Sequence, residues 1–108
     1  MMKKIIAIVL TLALALSLAS CGAAGMTMGT GGTAGTYYAY GNVLGSTIKE
    51  HTGINVTAVS TDGSKANIQG IDAGDYQLGT VQSDVMAYAW AGSRSFESEG
   101  ALDSFRVI

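Results

Sequence analysis

Hydrophobic positions change their spacing several times along the chain, and each change predicts an element. Residues 5–20 form one uncharged, mostly apolar run, set behind Lys3-Lys4 and ahead of Cys21. Met26-Thr27-Met28-Gly29 then alternates with period two, which suits a first strand. In residues 37–52, Tyr37, Tyr40, Val43, Leu44 and Ile48 follow helical spacing, and Gly53 is placed to stop the helix. That spacing puts Tyr37 and Tyr40 on the core side and points Tyr38 elsewhere. Residues 54–60 alternate again and are rich in β-branched side chains, predicting a half-exposed second strand. A short helix follows over residues 65–73, with Ala66, Ile68 and Ile71 as its apolar stripe and Asp62 or Ser64 as its cap. Residues 76–81 predict a third strand. Gln82-Ser83-Asp84 opens a third helix through Trp90, with Val85, Tyr88 and Ala89 on one side. Residues 92–104 are loop-like, and residues 105–108 read as the start of a further strand.

Strands alternating with helices, in the order β-α-β-α-β-α, imply an α/β fold. Its sheet is mostly parallel, with right-handed crossovers that put helices on both faces. All 15 glycines follow Cys21, about 17% of that part against a usual ~7%. Tight turns and close backbone approaches must be frequent. Proline is absent, the glycines have no fixed period and apolar runs recur throughout, which excludes collagen and argues against disorder.

The leader changes the picture of where this domain works. A basic start, an apolar run and a small-residue end make residues 1–20 a signal peptide. Leu18-Ala19-Ser20-Cys21 resembles the lipobox of bacterial lipoproteins, so Cys21 is the expected lipidation site and residues 21–25 a short tether. A spanning helix needs about 20 predominantly apolar residues, and no basic stop-transfer flank follows the run. The expectation is an exported chain, lipid-anchored to the cell membrane and facing the periplasm or exterior. Cys21 is the single cysteine, so no intramolecular disulfide can form. Beyond it, Lys49, Lys65, Arg94 and Arg106 stand against eight acidic residues, a net charge of −4 that argues against nucleic acid.

In a parallel α/β sheet ligands bind outside the carboxyl ends of the strands, and three predicted loops occupy that edge: residues 30–36, 60–64 and 82–84. All are built from small and polar residues. Free amides at a helix N-terminus suit a carboxylate or phosphate, and the hydroxyls of Thr33, Thr36 and Ser64 add donors. Plainer readings stand beside this one. Thr36 and Asp84 also suit N-caps, and Tyr38 either walls a pocket or serves packing. Gly29-x-Gly31-x-x-Ala34 fits a relaxed dinucleotide fingerprint, yet the acid expected about 20 residues on has only Asp62 as candidate, 28 positions after Ala34. No Gly-Lys-Ser/Thr follows the glycines, which excludes a P-loop. His51 reads as a surface residue near a helix end. With one histidine and one cysteine the chain offers no metal cluster and no nucleophile-base pair, so neither a cofactor nor an enzymatic role is expected.

Three ordered motifs carry a family resemblance. Met26-Thr27-Met28-Gly29-Thr30-Gly31-Gly32-Thr33-Ala34-Gly35-Thr36-Tyr37-Tyr38, then Asp62-Gly63-Ser64, then Ala73-Gly74-Asp75-Tyr76-Gln77-Leu78-Gly79-Thr80-Val81-Gln82-Ser83-Asp84 resemble the TAXI family of TRAP transporter solute-binding proteins. The resemblance implies a type II periplasmic-binding-protein fold, with residues 26–108 as the truncated N-terminal part of its first lobe. It also implies a ligand site drawn from Thr30, Gly31, Gly32, Thr33, Thr36, Tyr38, Ser64, Gln82, Ser83 and Asp84. The ligand would be a small organic acid or amino acid, such as glutamate or a dicarboxylate. TRAP-type membrane permease subunits, often fused, would be the partners. Two departures stand out: Ala39 replaces a common proline, and Thr61-Asp62 replaces a smaller glycine-rich run. With half of a two-lobed clamp, weak binding is expected. The alternatives are a receptor-derived lipoprotein without transport activity and, less favoured, an exported enzyme using the glycine-rich loop as an anion site.

Overall fold

Four residues, Met26–Gly29, form strand β1 at the centre of the sheet, where all four have strand partners on one edge and Met28 and Gly29 have them on both. The computed structural model describes Met1 and residues 25–108; the leader, Cys21 and the rest of the tether lie outside the described residues. After β1 come α1 (Thr36–Thr52), β2 (Val56–Val59), α2 (Ser64–Ala73), β3 (Leu78–Gly79), α3 (Ser83–Ala91) and a 3-10 turn at Arg94–Phe96. The sheet order is β2-β1-β3 and both pairings are parallel. Met26 pairs with Val56 and Gly29 with Val59 on one side, and Gly29 pairs with Gly79 on the other.

Strand alternation sends Met28, Thr30 and Ala58 to one face of the sheet, where α1 packs. A Cβ on Gly41 would lie 2.6 Å from Thr30 Cγ2 and 3.3 Å from Ala58 Cβ, and one on Gly45 only 2.7 Å from the Val56 carbonyl oxygen. The other face belongs to α2, where Gly29 and Gly79 leave room for Asn67. Helices therefore cover both faces, as right-handed crossovers to opposite sides require. The α1 packing corrects the expected apolar stripe. Tyr40 is 56% exposed and Val43 66% exposed, while the buried positions are Gly41 and Gly45. A helix touching backbone does so along its smallest row. That turns the stripe so that Tyr37, Leu44 and Ile48 flank the contact, half-buried.

The strands are shorter than the alternation predicts. β3 holds two residues instead of six because β1 ends at Gly29, and because the Gln77 side chain, not its backbone, accepts the Thr27 N–H at 2.8 Å. Below α2 and α3 the core gathers Ile68, Ala89, Phe96 and Phe105. The last two come from the stretch that reads as loop. The 3-10 turn buries Phe96, with the Lys65 ammonium 5.3 Å from its ring centre. No strand forms at residues 105–108. Phe105 turns inward to meet Trp90 edge-to-face at 5.3 Å, and the Arg106 guanidinium donates to the Asp103 and Phe105 carbonyls, which curls the backbone away from an extended path. Gly53 ends α1 as expected, at φ +75°, a left-handed conformation that costs glycine little.

Candidate functional site

Among the described residues the three α-helices all begin at the carboxyl edge of the sheet, and none begins with a side-chain cap. The N-cap residues are Gly35, Gly63 and Gln82. This corrects each expected cap. Thr36 is the first residue inside α1, because Gly35 N–H already bonds Gly32 O at 2.7 Å and closes the turn one residue earlier. Neither Asp62 nor Ser64 caps α2; the buried Ser64 Oγ instead accepts the Gln82 N–H at 2.9 Å, tying the start of α2 to the start of α3. Asp84 lies inside α3, and its Oδ1 accepts the Val85 N–H at 2.9 Å. Apart from that Val85 amide, the first-turn amides find no acceptor within their own helix, so the helix starts leave donors and the positive ends of the dipoles facing this edge.

Behind the edge lies a frame of buried polar groups. Thr30 is fully buried, and both its N–H and its hydroxyl donate to Val59 O, at 3.1 and 2.6 Å. Asn67, on α2, is also fully buried. Its Nδ2 donates to Thr30 O at 2.7 Å and to Thr80 O at 2.8 Å, and its Oδ1 accepts from the Thr61 hydroxyl at 2.6 Å. Two carbonyls on one side of the carboxamide leave only this orientation, since carbonyls cannot donate. The Thr61 hydroxyl also accepts Gly63 N–H at 3.1 Å, and Thr61 N–H reaches Gly31 O at 3.3 Å. The Thr80 hydroxyl is buried with no hydrogen-bond partner.

The expected ligand residues thus separate into two groups. Gly32, Thr33, Thr36, Gln82, Ser83 and Asp84 lie exposed along the edge, and Tyr38 is half-buried beside them. Thr30, Gly31 and Ser64 are interior and present no side-chain surface to a solute. Asn67 escaped the sequence reading. Its signal was an amide side chain next to Ile68 on the apolar side of a helix, where an unpaired polar group is costly.

Among the described residues, the exposed edge carries no cationic side chain of its own. Lys65, in the first turn of α2, directs its ammonium away, to Glu99 at 2.9 Å and to Ser95 O at 2.5 Å. The Lys65 ammonium donating to Glu99, with a hydrogen bond from the Ser98 hydroxyl, holds the Glu99 carboxyl well below its ordinary value, at about 2. The charges left on the loops are Asp62 and Asp84. His51 lies in the last turn of α1, away from this edge, with Nδ1 2.9 Å from Thr47 O. Among the described residues no group of three or more His, Cys, Asp or Glu is placed to hold a metal ion. No helix among them is long and apolar enough to cross a membrane. A groove of about 620 Å³ runs along β3, lined by Leu44, Leu78, Val81, Met86 and Phe105 among others. It is mainly apolar and distinct from the polar edge.

The chain matches the NMT1-like family over residues 28–108, about three quarters of its length, a span that contains every loop described above. The family points to an extracytoplasmic, solute-binding role with a small solute as ligand. A parallel three-stranded sheet flanked by helices is the arrangement expected of part of such a domain. On that match the chain belongs to the NMT1-like family, with the periplasmic-binding-protein-like fold.

Proposed function

We propose that this chain is the solute-binding component of a TAXI-type TRAP transporter. It captures a small organic acid or amino acid outside the cell membrane and passes it, chemically unchanged, to TRAP-type permease subunits. Cys21, acylated after removal of residues 1–20, anchors it to the membrane surface. The observation that carries the reading is the convergence of three helix N-termini, all without side-chain caps, on one edge of a parallel sheet. Each start presents roughly half a positive charge, enough together to hold a carboxylate without an arginine. Gly32, Thr33, Thr36, Gln82, Ser83 and Asp84 line the approach, and Tyr38 walls one side. A ligand held by fixed amides needs no nucleophile, and these loops contain no histidine, cysteine or lysine.

The test is a thermal-shift screen of the full chain in detergent against amino acids, dicarboxylates and aromatic acids. A bound solute stabilises by RT ln(1 + [L]/Kd), about 2.7 kcal/mol at a hundredfold excess over Kd, and is recovered unaltered. Stabilisation by one class of carboxylate, lost when Thr33 and Ser83 are replaced by bulky residues, supports the proposal. A solute consumed on incubation would identify an enzyme instead. Metabolic labelling with a fatty acid tests the anchor, and label retained in Cys21→Ala would refute lipidation at that residue.

A further inference from the structure

Three loops that meet at one edge need something to set the distances between them, and backbone pairing does only part of this. β1 and β2 are held together by their ladder and by Thr30, but β3 contributes just two residues to the sheet. Just past β3, the sheet holds the third loop by one further backbone bond, from Thr80 N–H to Gly29 O at 3.0 Å. One side chain reaches all three. Asn67 bonds Thr30 O in the first loop, Thr61 Oγ1 in the second and Thr80 O at the mouth of the third, at 2.7, 2.6 and 2.8 Å. The strand ends are cut to admit it: a Cβ on Gly29 would lie 2.5 Å from Asn67 Oδ1, and one on Gly79 would lie 3.2 Å from Asn67 Cβ.

We infer that Asn67 is the positioning residue of the solute site, the group that fixes the separation of the helix N-termini which bind the carboxylate. This rests on the solute-binding reading above. Asn67 is sealed beneath the loops and touches no ligand; it acts through the carbonyls of Thr30 and Thr80 and the Thr61 hydroxyl. Its use of both amide protons and the carbonyl oxygen leaves no slack, since every replacement lacks either a donor or an acceptor at the same place. Loops pre-set in this way lose little freedom on binding, which preserves affinity that ordering a mobile site would cost. The α1-β1-β2 unit and the α3 start then behave as one rigid surface. The Ser64–Gln82 bond and the bond from Thr80 N–H to Gly29 O also hold the α3 start, but each joins only two of these parts, whereas the carboxamide joins all three loops at once.

The experiment is solution NMR on the full chain in detergent, with L-glutamate as the probe solute. In the unaltered chain both Asn67 Nδ2 protons should exchange slowly with solvent. Rapid exchange would overturn the inference before any variant is made. In Asn67→Leu the backbone amides of residues 30–35, 61–63 and 80–84 should shift together, and glutamate affinity should fall by about tenfold or more, some 1.4 kcal/mol. Phe105→Leu, in the core and away from the loops, serves as the destabilised control, its loss of stability measured beside that of Asn67→Leu, and it should leave those amides and the affinity in place. Equal effects from the two variants would reduce Asn67 to a stability residue and refute the inference. Should Asn67→Leu fail to fold, Thr61→Val removes the third bond together with that hydroxyl's contacts to Thr30 O at 3.0 Å and Gly63 N–H at 3.1 Å; shifts that extend to residues 80–84 would support the role of Asn67, shifts confined to residues 30–35 and 61–63 would refute it, and Thr61→Ser should restore both readouts. If glutamate moves no signal in the unaltered chain, the solute reading fails for that probe, while the joint shift of the three loops still decides on Asn67.

Discussion

Gly45→Ala tests how α1 is seated, and the sign of its effect is open until the structure decides it. In an exposed helix interior this change stabilises by up to about 1 kcal/mol, because alanine loses less backbone freedom. At position 45 the new methyl would lie 2.7 Å from the Val56 carbonyl oxygen and 3.6 Å from Val56 Cβ. The obstacle is backbone, held in register against Met26 by the β1-β2 ladder, so it cannot swing aside as a side-chain tip does. Relief must come from α1 lifting off the sheet by a few tenths of an ångström, which also loosens Gly41 over Thr30, Met28 and Ala58. Overpacking of this kind costs about 1–3 kcal/mol, and after the helix-propensity gain a loss of up to about 2 kcal/mol remains. For a domain of this size each kcal/mol lowers Tm by about 4–8 °C. Urea denaturation followed by circular dichroism, with Ser46→Ala as an exposed control on the same helix, measures the difference. A Gly45→Ala chain more stable than its parent would refute the seating of α1 on its glycine row.

Two further outcomes follow from particular contacts. Glu99 has its pKa lowered from 4.5 to about 2 by Lys65 and Ser98, so its contribution to stability is complete above the unfolded value and is lost as pH falls from about 4.5 towards 2. Glu99→Gln should remove that part of the acid dependence, and melting curves across this window check it; an unchanged slope would show that the Lys65 pair is not formed in solution. Thr80 buries a hydroxyl with no partner, so Thr80→Val should leave stability equal or raise it by about 1 kcal/mol. A drop in denaturation midpoint would reveal a hydrogen bond made by that hydroxyl.

The order of elements was legible because period-two and helical spacing alternate cleanly from Met26 to Trp90, with glycines at the stops. Position of the loops followed from that order alone, since parallel crossovers bring every strand-to-helix connection to one edge. Side-chain roles were harder to read. Helix α1 buries Gly41 and Gly45, which no hydrophobic scale scores as a face, so Tyr40 and Val43 were drawn inward by an apolar stripe centred on the wrong row. The caps failed for a related reason. A glycine or an extended Gln82 closes each turn before the polar residue that sequence preference favours, and Ser64 turns its hydroxyl to Gln82 N–H. Phe96 and Phe105 carry part of the core from irregular chain, where periodicity has nothing to report.

The electrostatics of the edge lead to a final expectation that depends on the solute reading. With Lys65 turned to Glu99, the fixed charges on the loops are Asp62 and Asp84, both negative. A carboxylate held by amides must therefore be bound against them. Asp62 directly precedes Gly63, the residue that opens α2, and its carboxylate is exposed. Two unit charges about 6–10 Å apart in water-like surroundings repel by about 0.4–0.7 kcal/mol, which is about two- to threefold in Kd. Asp62→Asn should tighten a dicarboxylate by about that factor and a neutral analogue not at all. Because screening acts over about 10 Å at 0.1 M salt, the gain should shrink when calorimetric titrations are repeated near 1 M. A gain of the same size for charged and neutral solutes would mean that Asp62 acts through loop shape, and a loss of affinity would mean that its carboxylate holds a positive group of the solute.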